Sequence, residues 1–444
     1  MKKVIINSRE VTKNKLSEEI IWVLMYTMSI IHGLMCISPG ILSSCISEIK
    51  KEFRLSDEKY SMFGTLNGFG SLIGSLIFTI IIENINHKNL ICSMLIINCL
   101  CHFSFCLKLD YFSLLISRFF SGFASVFCYI YFPIWVDKFA MKNWVNFMQT
   151  TVQLSNTAGH ILGYFIYLIL GSKNWKYGFL TEIFTVTCLV FIMVIIPNKY
   201  YDKDFNRKDW DEIKINNLYE NEKETITQDI ICNIPYILIT LYRANRLFIF
   251  VALDFWFSDY LQNSLREKNP SIIFYSYSFT MVFSNLIGNI LGGIIINKIG
   301  GISSSLSFIA MAILQFSSVL FGIFSSFTNS ILLFTILMSL YMLLNSASGI
   351  ITISASFEVM PKTLTGIATG IYSIVVNLIA FLPAPYAYAF IKNIFREGKF
   401  IIIALMIYGL FGGLELIIAD IYMRNKKIKI YREENKYEEI NLRK

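Results

Sequence analysis

The sequence predicts an all-α membrane protein of twelve transmembrane helices, arranged as two pseudo-symmetric six-helix bundles. Three observations predict it. Apolar runs long enough to cross a bilayer recur from end to end, one hydrophilic stretch divides them six and six, and a segment of the first half recurs in the second.

The apolar runs follow from composition. Of 444 residues, 55% are hydrophobic and only 16% charged, with a mean hydropathy of +0.55. A soluble chain carries roughly a quarter charged residues, whereas a helical crossing needs about 20 mostly apolar ones. Runs of that kind lie at about 20–45, 60–82, 89–108, 111–136, 145–170 and 176–197, and again at about 236–261, 272–297, 303–325, 328–357, 363–391 and 398–422. Charges and helix breakers such as Pro197 and Pro361-Lys362 mark their ends.

Residues 198–233 carry Asp202, Asp204, Asp209, Asp211, Glu212, Glu220, Glu222 and Glu224 among lysines, too many charges to pack a core. The expected organisation is therefore a bundle over 1–197, a cytoplasmic linker over 198–233, and a second bundle with a basic tail over 234–444. Lys and Arg gather in both tails and the linker, which puts both termini in the cytoplasm; Lys50, Lys51, Arg54 and Lys59 in the first outer loop run against the trend. Arg243 and Arg246 lie toward the inner end of the seventh span, and counting them strengthens the bias. The polar first 20 residues leave the first apolar helix as an uncleaved insertion signal.

The net charge of +8 forms no stripe, so nucleic acid is not an expected partner. Nine cysteines fall mostly in apolar runs without a CxxC pair, and read as small packing residues rather than disulfides or metal ligands. No HExxH, GxSxG or P-loop lysine occurs. An enzyme, a metal site and a cofactor are therefore not expected.

The repeat pairs FGSLIGSLIFTIIIENINH at 69–87 with FSNLIGNILGGIIINKIGG at 283–301. Phe69/Phe283, Leu72/Leu286, Ile73/Ile287 and Gly74/Gly288 match in register without a gap. These are the second crossings of the two halves. A parallel repeat of this kind relates the halves by an axis along the membrane normal.

At this point the chain resembles the major facilitator superfamily. Gly293-Ile-Ile-Ile-Asn297-Lys298-Ile299-Gly300 keeps the spacing of that family's loop motif after the eighth helix, with Asn for Asp. After the second helix, Glu83-Asn84-Ile85-Asn86-His87-Lys88 has lost the basic partner and the glycine. Arg118-x-x-x-Gly122 is similar to the fourth-helix signature, and Trp175-Lys176 to the usual Trp-Arg before the sixth. Within the superfamily, Tyr131 to Asp137, Phe255 to Leu261, Gly366-Ile-Ala368 and Pro383-Ala384-Pro385 look like protist members of the spinster-like group. Cys36-Ile37-Ser38-Pro39-Gly40 stands where that group usually carries an acidic residue and an arginine. The resemblance implies a monomeric secondary transporter working by alternating access, with Glu83, Lys88, Gly293, Asn297, Lys298 and Gly300 in its gating loops. It implies lysolipids, sphingoid lipids or other amphiphiles as cargo. A small polar metabolite or organic anion is the other substrate class, and a ligand sensor or scaffold without net transport is the other function.

Charges inside the bilayer nominate the site, because each costs about 2.5–3.5 kcal/mol at a helix centre on insertion scales. Arg118 either faces the cavity, pairing with anionic cargo or a carboxylate, or is satisfied by backbone carbonyls in its own half. Asp254 among Phe255, Trp256 and Phe257 either exchanges a proton with the pathway, making proton coupling an expectation, or bonds a neighbouring helix. Asp259 is expected at the outer interface. His32 and His160 are proton relays or buried neutral rings. Glu182 and Glu415 are expected to snorkel or to pair structurally, outside the site. Tyr129, Tyr131, Gln153, Asn156, Trp256, Tyr275, Asn285, Tyr341, Asn345, Tyr372 and Asn377 supply neutral polar and aromatic groups for a solute cavity, or hydrogen bonds between helices. Gly159-x-x-x-Gly163 is expected to bring the fifth helix close to a neighbour. Pro383 and Pro385 are expected to break the eleventh.

Overall fold

Hydrocarbon offers no partner for backbone N–H and C=O groups, so each crossing satisfies them within its own helix. The computed structural model describes residues 2–81, 85–140, 144–171, 174–201, 233–299, 306–359, 365–395 and 397–442. Eleven helices among them are long and apolar enough to cross a membrane. A further one, spanning the fifth predicted run, has a shorter apolar part at Leu154–Leu170.

In the first half, span 1 is α1 (Lys2–Leu34) continued by α2 (Ile37–Ser44), with a short α3 (Ile46–Phe53) after it. Spans 2 to 6 are α4 (Asp57–Ile81), α5 (His87–Cys106), α6 (Tyr111–Phe139), α7 (Val145–Leu170) and α8 (Trp175–Ile195). In the second half, span 7 is α9 (Ile234–Asp259). Span 8 joins α10 (Pro270–Tyr277) to α11 (Ser284–Ile299), and spans 9 and 10 are α12 (Ser307–Ser326) and α13 (Ile331–Val359). Span 11 joins α14 (Thr365–Val376) to α15 (Ala384–Phe395), and α16 (Gly398–Leu442) supplies span 12 and continues into the tail.

The chain divides into two compact units. One is Met1–Asn217 with Phe255–Asp259, and the other is Leu218–Asp254 with Tyr260–Lys444. Most of the linker proposed at 198–233 lies outside the described residues, as do Glu83 and Gly300.

Within the first unit, glycine sets the helix crossings. A Cβ on Gly159 would strike the Gly33 carbonyl, and one on Gly163 would lie 2.6 Å from the carbonyl of Ile37. The neighbour that the Gly159/Gly163 pair admits is thus span 1. Its break follows Pro39, which has no N–H to give Met35 and whose ring crowds that carbonyl. The Cys36 N–H turns instead to Gly33 at 2.9 Å. Leu24, Met28, Phe127, Trp135 and Tyr201 join one apolar core beneath these crossings. Asn86 and Asp110 cap α5 and α6 through their side-chain oxygens.

The repeated glycine does the same work in each unit. Gly74 lies against Phe123 and Val126 of α6, and Gly288 against Leu343 and Ser346 of α13. Both pack the second helix of a half on the fourth. In the second unit, regular helix yields to π turns at Ser278–Phe283 and Asn377–Phe381. The latter precedes Pro383, where the Leu382 N–H reaches back to Asn377 at 3.0 Å.

Candidate functional site

Polar groups gather at two places in the first unit. At the first, span 1 and α7 meet because Gly33 and Gly159 let their backbones approach, and α6 packs beside both. Cys36 Sγ donates to Asn156 Oδ1 at 2.8 Å and lies 3.4 Å from the Tyr129 hydroxyl. His32, one turn earlier, places Nδ1 3.3 Å from Ser155 Oγ and meets the Tyr129 ring edge-on at 4.8 Å. A thiol, a phenol, an amide, a hydroxyl and an imidazole thus share one face without an ion pair. Such a group orients a solute by hydrogen bonds rather than by charge. His32 and Asn156 were legible in the sequence as candidates; Cys36 and Ser155 were not, since each looks like ordinary helix packing.

The second place surrounds Arg118 on α6. It is 3% exposed and its Nε donates to the Phe63 carbonyl at 3.3 Å. Its electrostatic neighbours include Glu182, Tyr60 and Tyr129. Glu182 on α8 stands 3.0 Å from His102 Nδ1 of α5, close enough to pair though not aligned as a hydrogen bond. The other ring nitrogen meets Ser121 Oγ at 3.0 Å, and that hydroxyl donates to Asn98 Oδ1 at 2.7 Å. Glu182 therefore does not snorkel. Its partner His102 had no sequence signal beyond being ionisable inside an apolar run, which is itself a signal.

In the second unit, Arg243 and Arg246 lie three residues apart on one face of α9. The Arg243 guanidinium sits 4.1 Å from the centre of the Tyr372 ring, and Arg246 Nη1 donates to the Asn345 carbonyl at 2.9 Å. Counted from Ile234 at 1.5 Å per residue, they are roughly 14 and 18 Å into the helix, within its first half. The nearby Glu415 on α16 is held by Asn245 Nδ2 at 2.8 and 2.9 Å. Tyr341 is fully buried with its hydroxyl unpartnered, and the Asn345 amide oxygen is likewise unpartnered.

The remaining expected residues disperse. Asp254 accepts from the Tyr277 hydroxyl at 2.6 Å, a bond between spans 7 and 8. Trp256, 0% exposed, packs edge-on to Tyr60 at 6.1 Å. Asp259 is buried, 3.8 Å from Lys50. The Tyr131 hydroxyl donates to the Tyr201 carbonyl at 3.0 Å while its ring stacks on His87. Asn285 bonds Ser346 and the Met281 carbonyl, and Asn377 bonds the Ser373 carbonyl at 2.9 Å. Tyr275 is 66% exposed, on the outside of its helix rather than inside the unit. The Gln153 side chain lies outside the described residues.

A sequence model of the Major Facilitator Superfamily matches residues 28–385. The chain belongs to that superfamily. No curated protein matches it by sequence. Among solved structures, it is similar to a bacterial homolog of the human lysosomal transporter Spinster in an inward-facing, unoccupied conformation. That match has a TM-score of 0.71 at 11% identity, over 90% of this chain and 97% of the other. It is also similar to a D-xylose–proton symporter (TM-score 0.69, 14% identity, 90% and 97% covered) and to the xylose transporter XylE from E. coli (0.67, 13%, 90% and 95%). At such identities the likeness carries the fold, and the fold is that of a multi-pass secondary transporter.

For a superfamily member, the departures at its loops have local explanations. Among the described residues, Lys88 latches no side chain across its own loop. Its Nζ reaches the carbonyls of Val194 and Ile196 at 2.6 and 2.7 Å, holding the C-terminal end of α8. Asn297 and Lys298 are exposed, and Gly293 has open space where a Cβ would stand. Trp175, from the Trp-Lys pair, donates Nε1 to Glu52 at 2.9 Å, and Lys108 bonds the same carboxylate. Partial burial raises the Glu52 pKa, but these bonds outweigh it and hold the carboxyl below its ordinary value.

Proposed function

We propose that this protein moves a small organic amphiphile across a membrane by alternating access. The observation that carries this reading is the face shared by His32, Cys36, Tyr129, Ser155 and Asn156, where a few uncharged polar groups stand among aromatic and apolar walls. Sparse hydrogen bonding on an apolar surface suits a cargo with a small polar head and an apolar body. A sugar site would surround its ligand with many more donors and acceptors. The transporters among the structural neighbours support the transport part of this reading.

Purified protein in proteoliposomes tests it. Uptake of a short-chain lysolipid, a long-chain amine and xylose is followed under imposed proton and membrane-potential gradients. Saturable amphiphile flux, reduced by Asn156→Ala and Tyr129→Phe, is the expected result. Binding without flux under every gradient favours a sensor, and xylose flux alone sinks the amphiphile reading.

A further inference from the structure

Two guanidiniums lie side by side inside an apolar helix, and no carboxylate among the described residues pairs with either. Arg243 and Arg246 are electrostatic neighbours of each other and of Tyr372, Tyr236, Tyr242 and Tyr341, all of which are neutral phenols. Their protein contacts leave donors over. The Nε atoms of both arginines are buried without a partner. Arg243 is held by the face of Tyr372, which fixes a cation without using its N–H groups. Arg246 uses one N–H on the Asn345 carbonyl. The Tyr341 hydroxyl, fully buried beside Arg246, is a further donor with no acceptor.

Space has been kept for this arrangement. A Cβ on Gly349 of α13 would collide with the Arg246 guanidinium. Glu415 is turned to Asn245, which also accepts from Tyr408 at 2.7 Å. Two half-buried cations of one sign, each with a buried, idle Nε–H donor, suit an anion.

We propose that Arg243 and Arg246, with the Tyr341 hydroxyl, bind an oxyanion, the phosphate or carboxylate head of the transported solute. The planar guanidinium edge matches two oxygens of either group. This rests on the transport reading above and adds the charge of the cargo to it.

The test is binding to the full chain in a neutral maltoside detergent, read by thermal shift with decyl phosphate, butyl phosphate, decyltrimethylammonium and phosphatidylglycerol. Decyl phosphate is expected to bind at least about tenfold more tightly than decyltrimethylammonium, as charge-assisted hydrogen bonds require. The Arg243→Gln/Arg246→Gln double variant is expected to lose that preference, and Gly349→Ala to weaken it. A response to either alkyl phosphate assigns the site to solute, whereas a response to phosphatidylglycerol alone assigns the same oxyanion chemistry to a lipid headgroup. Equal affinity for the cationic and anionic probes on wild-type protein overturns the proposal even should the double variant not fold. Oxyanion binding without flux keeps the site and removes the transport reading; flux indifferent to both arginines does the reverse.

Discussion

His102 Nδ1 stands 3.0 Å from Glu182 Oε1, and each side chain is 1% exposed. The pair ties span 3 to span 6 inside the first unit, with Ser121 and Asn98 extending it to span 4. Removing one member leaves the other buried and uncompensated, which costs about 3–5 kcal/mol, while replacing both with apolar groups of similar size is often neutral. Glu182→Ala and His102→Ala should therefore each lower the unfolding temperature in detergent markedly, and His102→Leu/Glu182→Met should recover most of the loss. Additive losses in the double variant would show that the two residues are not coupled.

The glycine crossings make a contrasting pair of predictions. Gly159→Ala drives a methyl into the Gly33 carbonyl and should destabilise by about 1–3 kcal/mol. Gly293→Ala meets nothing within 4 Å and should be neutral or stabilising by up to about 1 kcal/mol through helix propensity. Thermal unfolding of both variants in one detergent decides; comparable losses would mean that close approach is not what Gly159 supplies.

Glu52 makes stability depend on pH. Its folded pKa lies below the unfolded value of about 4.3. The stabilisation is fully present above that value and is lost as pH falls through the folded pKa. Wild-type protein should therefore lose stability more steeply than Glu52→Gln on acidification below about pH 4, and the two should run parallel above about pH 6. A constant difference between them across the whole range would contradict the assignment.

Asp254 is a candidate for proton coupling. Its Oδ1 accepts from Tyr277, so Asp254→Asn keeps the shape and removes the exchangeable charge. Coupling through this carboxyl predicts that the variant's uptake no longer responds to a pH step, whereas Tyr277→Phe shifts the response without abolishing it. Identical pH dependence in Asp254→Asn and wild type would leave Asp254 as a helix-to-helix bond.

The span pattern and the repeat could be read without a structure because both are imposed locally. Hydrocarbon requires each crossing to be a long apolar helix, and Gly74 and Gly288 can be aligned by eye. The pairing of side chains across helices carries no such local mark. Cys36 and Ser155 look like packing residues until Gly33 and Gly159 bring their helices together. Tyr131 and Tyr275 look like pathway aromatics, yet one bonds the Tyr201 carbonyl and the other faces outward.

By itself, then, the sequence determined the class of solvent around the chain, the number of crossings and the superfamily. Those depend on hydropathy summed along one helix. Tertiary structure alone decided which ionisable groups have partners: His102 with Glu182, Asn245 with Glu415, and Arg243 and Arg246 with no acid among the described residues. The reason is physical. A charge within an apolar run is costly wherever it stands, and only the rotation and spacing of neighbouring helices determine whether a compensating group lies within about 3 Å of it.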